Sequence, residues 1–121
     1  MKNPQYGEIY WCNLGSVNEN SGNIQKGIRP VLVVSTDFGN MVSNNTIVNV
    51  VPLTTSQQKI RNKLPCHTMI SSCTCAPSVA LCEQIMTIQK KKLMVDGKRI
   101  GKITDDEMNK VKNSLRSQFC C

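Results

Sequence analysis

Hydrophobic positions in this chain gather in short runs separated by polar, glycine-containing stretches, and only near the C-terminus does the period lengthen. Tyr6 to Leu14 is rich in strand formers and bounded by proline and glycine, which predicts a first strand. Gly15 to Gly27 is crowded with Asn, Ser and Gly and predicts a loop; a loop of that length inside a compact domain is uncommon unless it is functional. The continuous apolar run Pro30-Val31-Leu32-Val33-Val34-Ser35 has the pattern of a strand buried on both faces. Asp37 to Asn40 supply turn chemistry. Thr46 to Val51 begin the next strand, with Pro52 marking an edge or a bend near its end. Leu64 to Ile70 and Val79 to Ile88 predict two more strands, and Ile100 to Ile103, after the turn signal Asp96-Gly97, a last short strand or extended link.

The end of the chain has another character. Thr104-Asp105-Asp106-Glu107 is a capping box, in which hydroxyl and carboxylate satisfy each other's orphan backbone donors. Met108, Val111, Leu115 and Phe119 then recur on one helical face. The prediction is a mainly β protein with a C-terminal α-helix, its sequential strands forming an antiparallel barrel or curled sheet on which the helix packs. The chain shows no β-α-β alternation and no glycine-rich phosphate loop, which excludes nucleotide-binding folds. With 121 residues, no internal repeat and no linker, residues 1–121 are expected to form one domain.

Charge adds a partner to this picture. Fifteen Lys and Arg against eight Asp and Glu give a net charge of +7, which points to a polyanion. No acidic residue lies between Phe38 and Cys82, where Lys59, Arg61 and Lys63 are basic; Lys90-Lys91-Lys92, Lys98, Arg99 and Lys102 form a second basic stretch. A solvated, solubilising surface would show the same pattern. Two Phe, two Tyr and one Trp cannot build a broad base-stacking platform, so a nucleic-acid site should be polar and local. No apolar run approaches the ~18 residues of a membrane span, and no apolar segment follows Met1 to Gln5, so a cytoplasmic location is expected. Of seven cysteines only Cys73/Cys75 and Cys120/Cys121 lie close together, and His67 is the single histidine. That is not a zinc-site pattern, and the thiols are expected to act as small apolar residues.

A metal-free phosphodiesterase that uses the substrate's own 2′-hydroxyl needs proton transfer and cationic or donor stabilisation of the phosphorane. Arg29 suits the second task, because a guanidinium grips two phosphate oxygens at once and this one stands where the polar loop enters the apolar strand. A salt bridge at a strand end is the competing explanation. Thr54 and Thr55, with Ser56, could polarise a phosphate or simply terminate a strand. His67 is the only imidazole, and a lone histidine in a strand is more often structural than catalytic. Glu83 and Gln84 interrupt an apolar segment, so they either brace the core or line a site.

These residues fall in motifs that resemble the MazF/PemK toxin family, especially the MazF-like proteins of Gram-positive bacteria. The matching segments are Gly7-Glu8-Ile9-Tyr10-Trp11 with Leu14, Gly27-Ile28-Arg29-Pro30-Val31-Leu32-Val33-Val34, and Asp37 with Gly39-Asn40. Pro52-Leu53-Thr54, Lys63-Leu64-Pro65 with His67, Glu83-Gln84-Ile85 with Thr87, and Gly101 to Met108 continue the series across essentially the whole chain. The resemblance implies an SH3-like antiparallel β-barrel of the CcdB/MazF/PemK toxin type, assembled as a homodimer. It implies the toxin of a type II toxin–antitoxin system, a sequence-selective endoribonuclease that arrests growth by cutting single-stranded mRNA. The cut would need no metal or other cofactor and leave 2′,3′-cyclic phosphate and 5′-hydroxyl ends. The family's catalytic arginine and threonine fall on Arg29 and Thr54, and substrate contacts on Asn23, Thr55, Leu64, Pro65, His67, Glu83 and Gln84. The implied partner is a cognate antitoxin with a flexible, acidic C-terminal tail.

The chain departs from the family pattern at Ile24, where the first loop usually carries an acidic residue, and at Met86, where arginine is common. Ser71 to Pro77 is also unlike the family's charged hairpin. Cut-site preference is therefore not carried over. A non-catalytic SH3-like nucleic-acid-binding module and a CcdB-like gyrase inhibitor are the alternatives, and an assay on long single-stranded RNA separates all three.

Overall fold

The computed structural model describes residues 4–15, 27–35, 47–55, 67–71, 77–94 and 99–119. Among them, seven strands precede one α-helix: β1 (Glu8–Asn13), β2 (Ile28–Val33), β3 (Ile47–Thr54), β4 (His67–Ile70), β5 (Ser78–Leu81), β6 (Met86–Gln89), β7 (Arg99–Lys102) and α1 (Asp105–Phe119). Every pairing is antiparallel, as short sequential strands require. Neighbours run β4-β5-β3-β2-β1-β7, and β6 pairs with the first half of β3. The sheet curls into a half-barrel with α1 packed on β4 and on the turn after β5.

Two apolar clusters lie on opposite faces of the central strands. Ile9, Leu32, Val51 and Leu53 pack toward Met108 and Val111 of α1, whereas Tyr10, Cys12, Val31, Val33, Val48 and Val50 gather with Leu93. The run Val31-Leu32-Val33 is fully buried, as its unbroken apolarity predicts. Burial of each such side chain contributes about 1.5–3 kcal/mol. Leu93 comes from a 3₁₀ helix, Lys90–Met94, that the hydrophobic pattern does not announce. Its three lysines are not one basic surface: Lys90 is buried, while Lys91 and Lys92 are exposed.

Three expectations change. Pro52 does not mark an edge, since β3 continues through it to Thr54 and lies between β2 and its partners on the other side. Val79 to Ile88 is not one strand: β5 and β6 are separated by a 3₁₀ turn, Cys82–Gln84. The two observations have one cause. β3 pairs with β6 up to Val50 and with β5 from Leu53, so Pro52, which has no N–H to give a ladder, sits where the partner changes. At the helix, Phe119 is exposed, and only Met108, Val111 and, partly, Leu115 of the predicted stripe are covered. The stripe continues instead through Ser114, whose Oγ lies 2.5 Å from Thr68 Oγ1 in β4. Thr104 caps α1 by accepting from the Glu107 N–H at 3.2 Å, and Glu107 Oε2 accepts from the Ser71 N–H at 2.8 Å, tying the helix start to the end of β4. Sequence spacing cannot foresee that long-range acceptor.

A buried carboxylate fastens the chain's beginning to its end. Glu8 accepts from the Gln5 N–H (2.6 Å), the Tyr10 hydroxyl (2.8 Å) and Arg99 Nη1 of β7 (2.6 Å). Burial alone would raise the Glu8 pKa, but these three donors and the arginine charge together hold it below the ordinary value of 4.5. Burial and the Glu8 carboxylate push the Tyr10 phenol up to about 12. Because the folded pKa of Glu8 is depressed, its contribution is complete above the ordinary value and fades as pH falls through the lowered one. Glu8→Gln should therefore cost about 1–3 kcal/mol at neutral pH. In urea unfolding the gap to wild type should narrow toward acid; a gap independent of pH would contradict this.

Candidate active site

The partner change along β3 brings the candidate residues together. β2 and β3 pair Val33 with Val50, Leu32 with Val51 and Val31 with Pro52. Continued two positions outward, past the last paired residues, the same register would set Arg29 opposite Thr54. Alternation places both on the sheet face of Val31, Val33 and Val50, away from the face that α1 covers. Thr54 faces Val79 of β5, and two residues further along β5, Leu81 faces His67. Cross-strand partners share a face, so Arg29, Thr54 and His67 belong to one surface. Thr68 projects to the other side and bonds α1 through Ser114.

Environments along this row differ. Arg29 is exposed although its cross-strand partner, Cys12, is fully buried, so a cation stands at the rim of the core. Thr54 is buried and Thr55 exposed. Beside Arg29, Gly15 and Gly27 close the base of the long polar segment: Leu14 N–H bonds Gly27 O at 2.8 Å and Gly27 N–H bonds Gly15 O at 2.7 Å. Both glycines have positive φ, 100° and 79°, a conformation that a Cβ would strain. Asn23, in that segment, and Leu64 and Pro65, before β4, lie outside the described residues.

Glu83 and Gln84 occupy the 3₁₀ turn, where both are half-buried. Continuing the Leu53–Ala80 register would set Val50 against Glu83; Val50 faces Met86 instead, so three residues are inserted opposite β3. That insertion folds Glu83 toward β4, where its Oε2 lies 2.5 Å from His67 Nε2. Reading the segment as a strand hid this pair, although two polar residues flanked by apolar ones were the signal that the strand must break.

Lys92 was concealed inside a basic run. It lines a cleft of about 360 Å³ with Asn13, Leu14, Gly15, Met86 and Ile88. Met86 and Ile88 pair with Val50 and Val48, which puts the cleft on the same face as Arg29. At the position where arginine is common in the resembling family, the chain thus has an apolar wall with a lysine contributed by the neighbouring 3₁₀ helix. Burial pushes the Cys12 thiol up, against the pull of the Lys92 charge, and Cys12 and Cys82 are free and buried, as small apolar residues would be. No group of three or more His, Cys, Asp or Glu among the described residues is arranged to hold a metal.

Residues 5–119 match the model of the PemK-like, MazF-like toxin of type II toxin–antitoxin systems. The chain belongs to this family. It is 37 % identical over 113 residues to endoribonuclease EndoA of Bacillus subtilis, covering 91 % of this chain and 89 % of that one. Endoribonuclease MazF of Staphylococcus saprophyticus is 31 % identical over 112 residues, covering 90 % and 85 %. Among solved structures, a mycobacterial endoribonuclease in complex with its cognate antitoxin superposes with a TM-score of 0.74 at 25 % identity, covering 97 % of this chain and 95 % of that one. MazF of Deinococcus radiodurans gives 0.76 over the full length of both chains at 19 % identity, a likeness of fold. The half-barrel with its C-terminal helix is thus the MazF toxin fold.

The opposition of residues 29 and 54 is directly checkable. Facing residues of an antiparallel pair have Cα atoms roughly 4.5–5.5 Å apart, inside the range a disulfide spans. The double variant Arg29→Cys/Thr54→Cys should form that cross-link on mild oxidation, read by mass spectrometry of a proteolytic digest. Its absence would mean that the register is lost beyond Val31.

Proposed function

We propose that this chain is the toxin of a type II toxin–antitoxin pair, a cytoplasmic, homodimeric endoribonuclease that cuts single-stranded mRNA sequence-selectively and arrests growth. Residues 1–121 act as one toxin domain. The observation that carries the reading is the β2–β3 register, Val31 with Pro52, which continued two residues outward would set Arg29 opposite Thr54 on the sheet face opposite α1. Support also comes from relatives named as endoribonucleases. Neither a passive binding module nor a gyrase inhibitor is favoured by such relatives, and a passive module would not need a guanidinium set against a buried hydroxyl.

In the proposed reaction the 2′-oxygen of the nucleotide before the cut attacks the adjacent phosphorus. Its proton is lost, the P–O5′ bond breaks, and the 5′-oxygen leaves with a proton, giving a 2′,3′-cyclic phosphate and a 5′-hydroxyl. Arg29 grips non-bridging oxygens as negative charge accumulates on the phosphorane, using the fixed fork of its guanidinium. The Thr54 hydroxyl, set on a strand paired on both sides, adds a preorganised donor. Thr55, Glu83 and Gln84, with Asn23, Leu64 and Pro65, hold the flanking nucleotides. No metal or cofactor takes part.

The partners follow from charge and surface. A dimer of about +14 (twice +7) attracts RNA and, equally, an acidic antitoxin tail that competes for the same groove. Among the described residues no helix is long and apolar enough to cross a membrane.

Two experiments test this function. Cleavage of a long single-stranded RNA should persist in excess EDTA and leave 5′-hydroxyl ends, whereas loss on chelation with recovery in magnesium would sink the mechanism. Arg29→Ala should abolish cleavage, and Thr54→Ala should slow it on the order of 10²–10³-fold, the usual effect of losing one transition-state donor. Arg29→Lys should fail as well, since an ammonium lacks the bidentate fork. Near-normal single-turnover rates in a folded Arg29→Ala protein would refute the assignment.

A further inference from the structure

We infer that His67 is a positioning residue, holding the Cys82–Gln84 turn through Glu83, and that it does not itself contact RNA; the inference rests on the ribonuclease reading above. Family resemblance alone would make His67, Glu83 and Gln84 three separate contacts to substrate. The geometry couples the first two. His67 opens β4 with its side chain buried, 7 % exposed, and its Nε2 is engaged by Glu83 Oε2 at 2.5 Å. A nucleotide could reach that nitrogen only by displacing the carboxylate, which exchanges one charge-assisted hydrogen bond for another and gains little.

The turn, by contrast, needs an anchor. It inserts three residues where β3 changes partner, beside a proline that offers no N–H. Its N-terminal end has no side-chain cap, and the Ile85 N–H to Cys82 O bond that closes it is long, at 3.3 Å. Cys82 is sunk in the core cluster that α1 covers, so one end of the turn is fixed by packing. The carboxylate of the next residue then fixes its rotation about the chain. Glu83 exposes only part of its side chain, with Oε2 on His67 and Oε1 buried, and half-buried Gln84 follows it at the surface, so the side chains that meet solvent here belong to the turn and not to the histidine. Loss of His67 therefore reaches RNA through the orientation of Glu83 and Gln84.

A double-mutant cycle on the full-length chain separates the two roles. Affinity is measured with the cleaved oligoribonucleotide carrying a 2′-deoxy nucleotide at the cut, and turnover with the unmodified one. His67→Ala should weaken binding roughly tenfold and reduce the rate at saturating RNA far less. Introduced on top of Glu83→Ala, it should weaken binding further by less than about twofold. His67→Gln, whose amide N–H can replace Nε2 as donor to Glu83, should restore most of the affinity. If His67→Ala does not fold, the comparison of His67→Gln with Glu83→Gln and their combination carries the same test. Independent, multiplying losses in the double variant would show that His67 touches RNA itself and overturn the inference, as would failure of His67→Gln to rescue. An RNA left intact by the wild-type chain would instead overturn the ribonuclease reading, and this assignment with it.

Discussion

A proline in the middle of the central strand governs the arrangement of this molecule. Pro52 cannot donate to a ladder, yet β3 must run through the core and pair on both sides. The solution is a change of partner, from β6 to β5, at the proline. Three residues are expelled from the neighbouring strands at that point, and they form the turn that carries Glu83 and Gln84. On the other side of β3 the ladder to β2 is unbroken from Val33 to Val31, a register that, carried two residues further, would bring Arg29 level with Thr54. One missing N–H thus coincides with both the Cys82–Gln84 turn and the end of the strand that carries Thr54.

The remaining parts hold that arrangement rigid. α1 backs the sheet through Met108, Val111 and the Ser114–Thr68 bond, and its first turn grips Ser71 through Glu107. The Glu8 carboxylate joins the Gln5 backbone, β1 and β7. In the proposed mechanism their work is positional, since a guanidinium displaced by an ångström would lose most of its advantage over bulk solvent.

Much of this is legible in the sequence. Val31 to Val33 announced a strand buried on both faces, and Thr104 announced the helix start, because those signals are local and periodic. Arg29 stood out as a charge abutting an apolar run. The register that opposes it to Thr54 is not local, and neither is the partner change: Pro52 suggests a disturbance without saying which strand leaves. Glu83 and Gln84 read as polar intrusions in a strand because the partner of Glu83, His67, is 16 positions away. Lys90 and Lys92 are neighbours in a basic run, but one is buried and the other lines the cleft, a division fixed by how a 3₁₀ helix lies on β1. Thr54 stays ambiguous as a strand-ending hydroxyl until the β2–β3 register is continued to the residue it would face.

The central claim is that the Arg29 guanidinium meets the non-bridging oxygens of the scissile phosphate in the transition state, with no metal between them. The most direct measurement is single-turnover cleavage of an RNA bearing one stereodefined phosphorothioate at the cut, compared between wild type and the residual activity of Arg29→Ala. Sulfur accepts hydrogen bonds poorly, so the account predicts that one diastereomer is cut markedly more slowly by wild type. Cadmium should not restore the rate, and the penalty should shrink in Arg29→Ala. A thio effect of the same size in both proteins, or one rescued by cadmium, would contradict it.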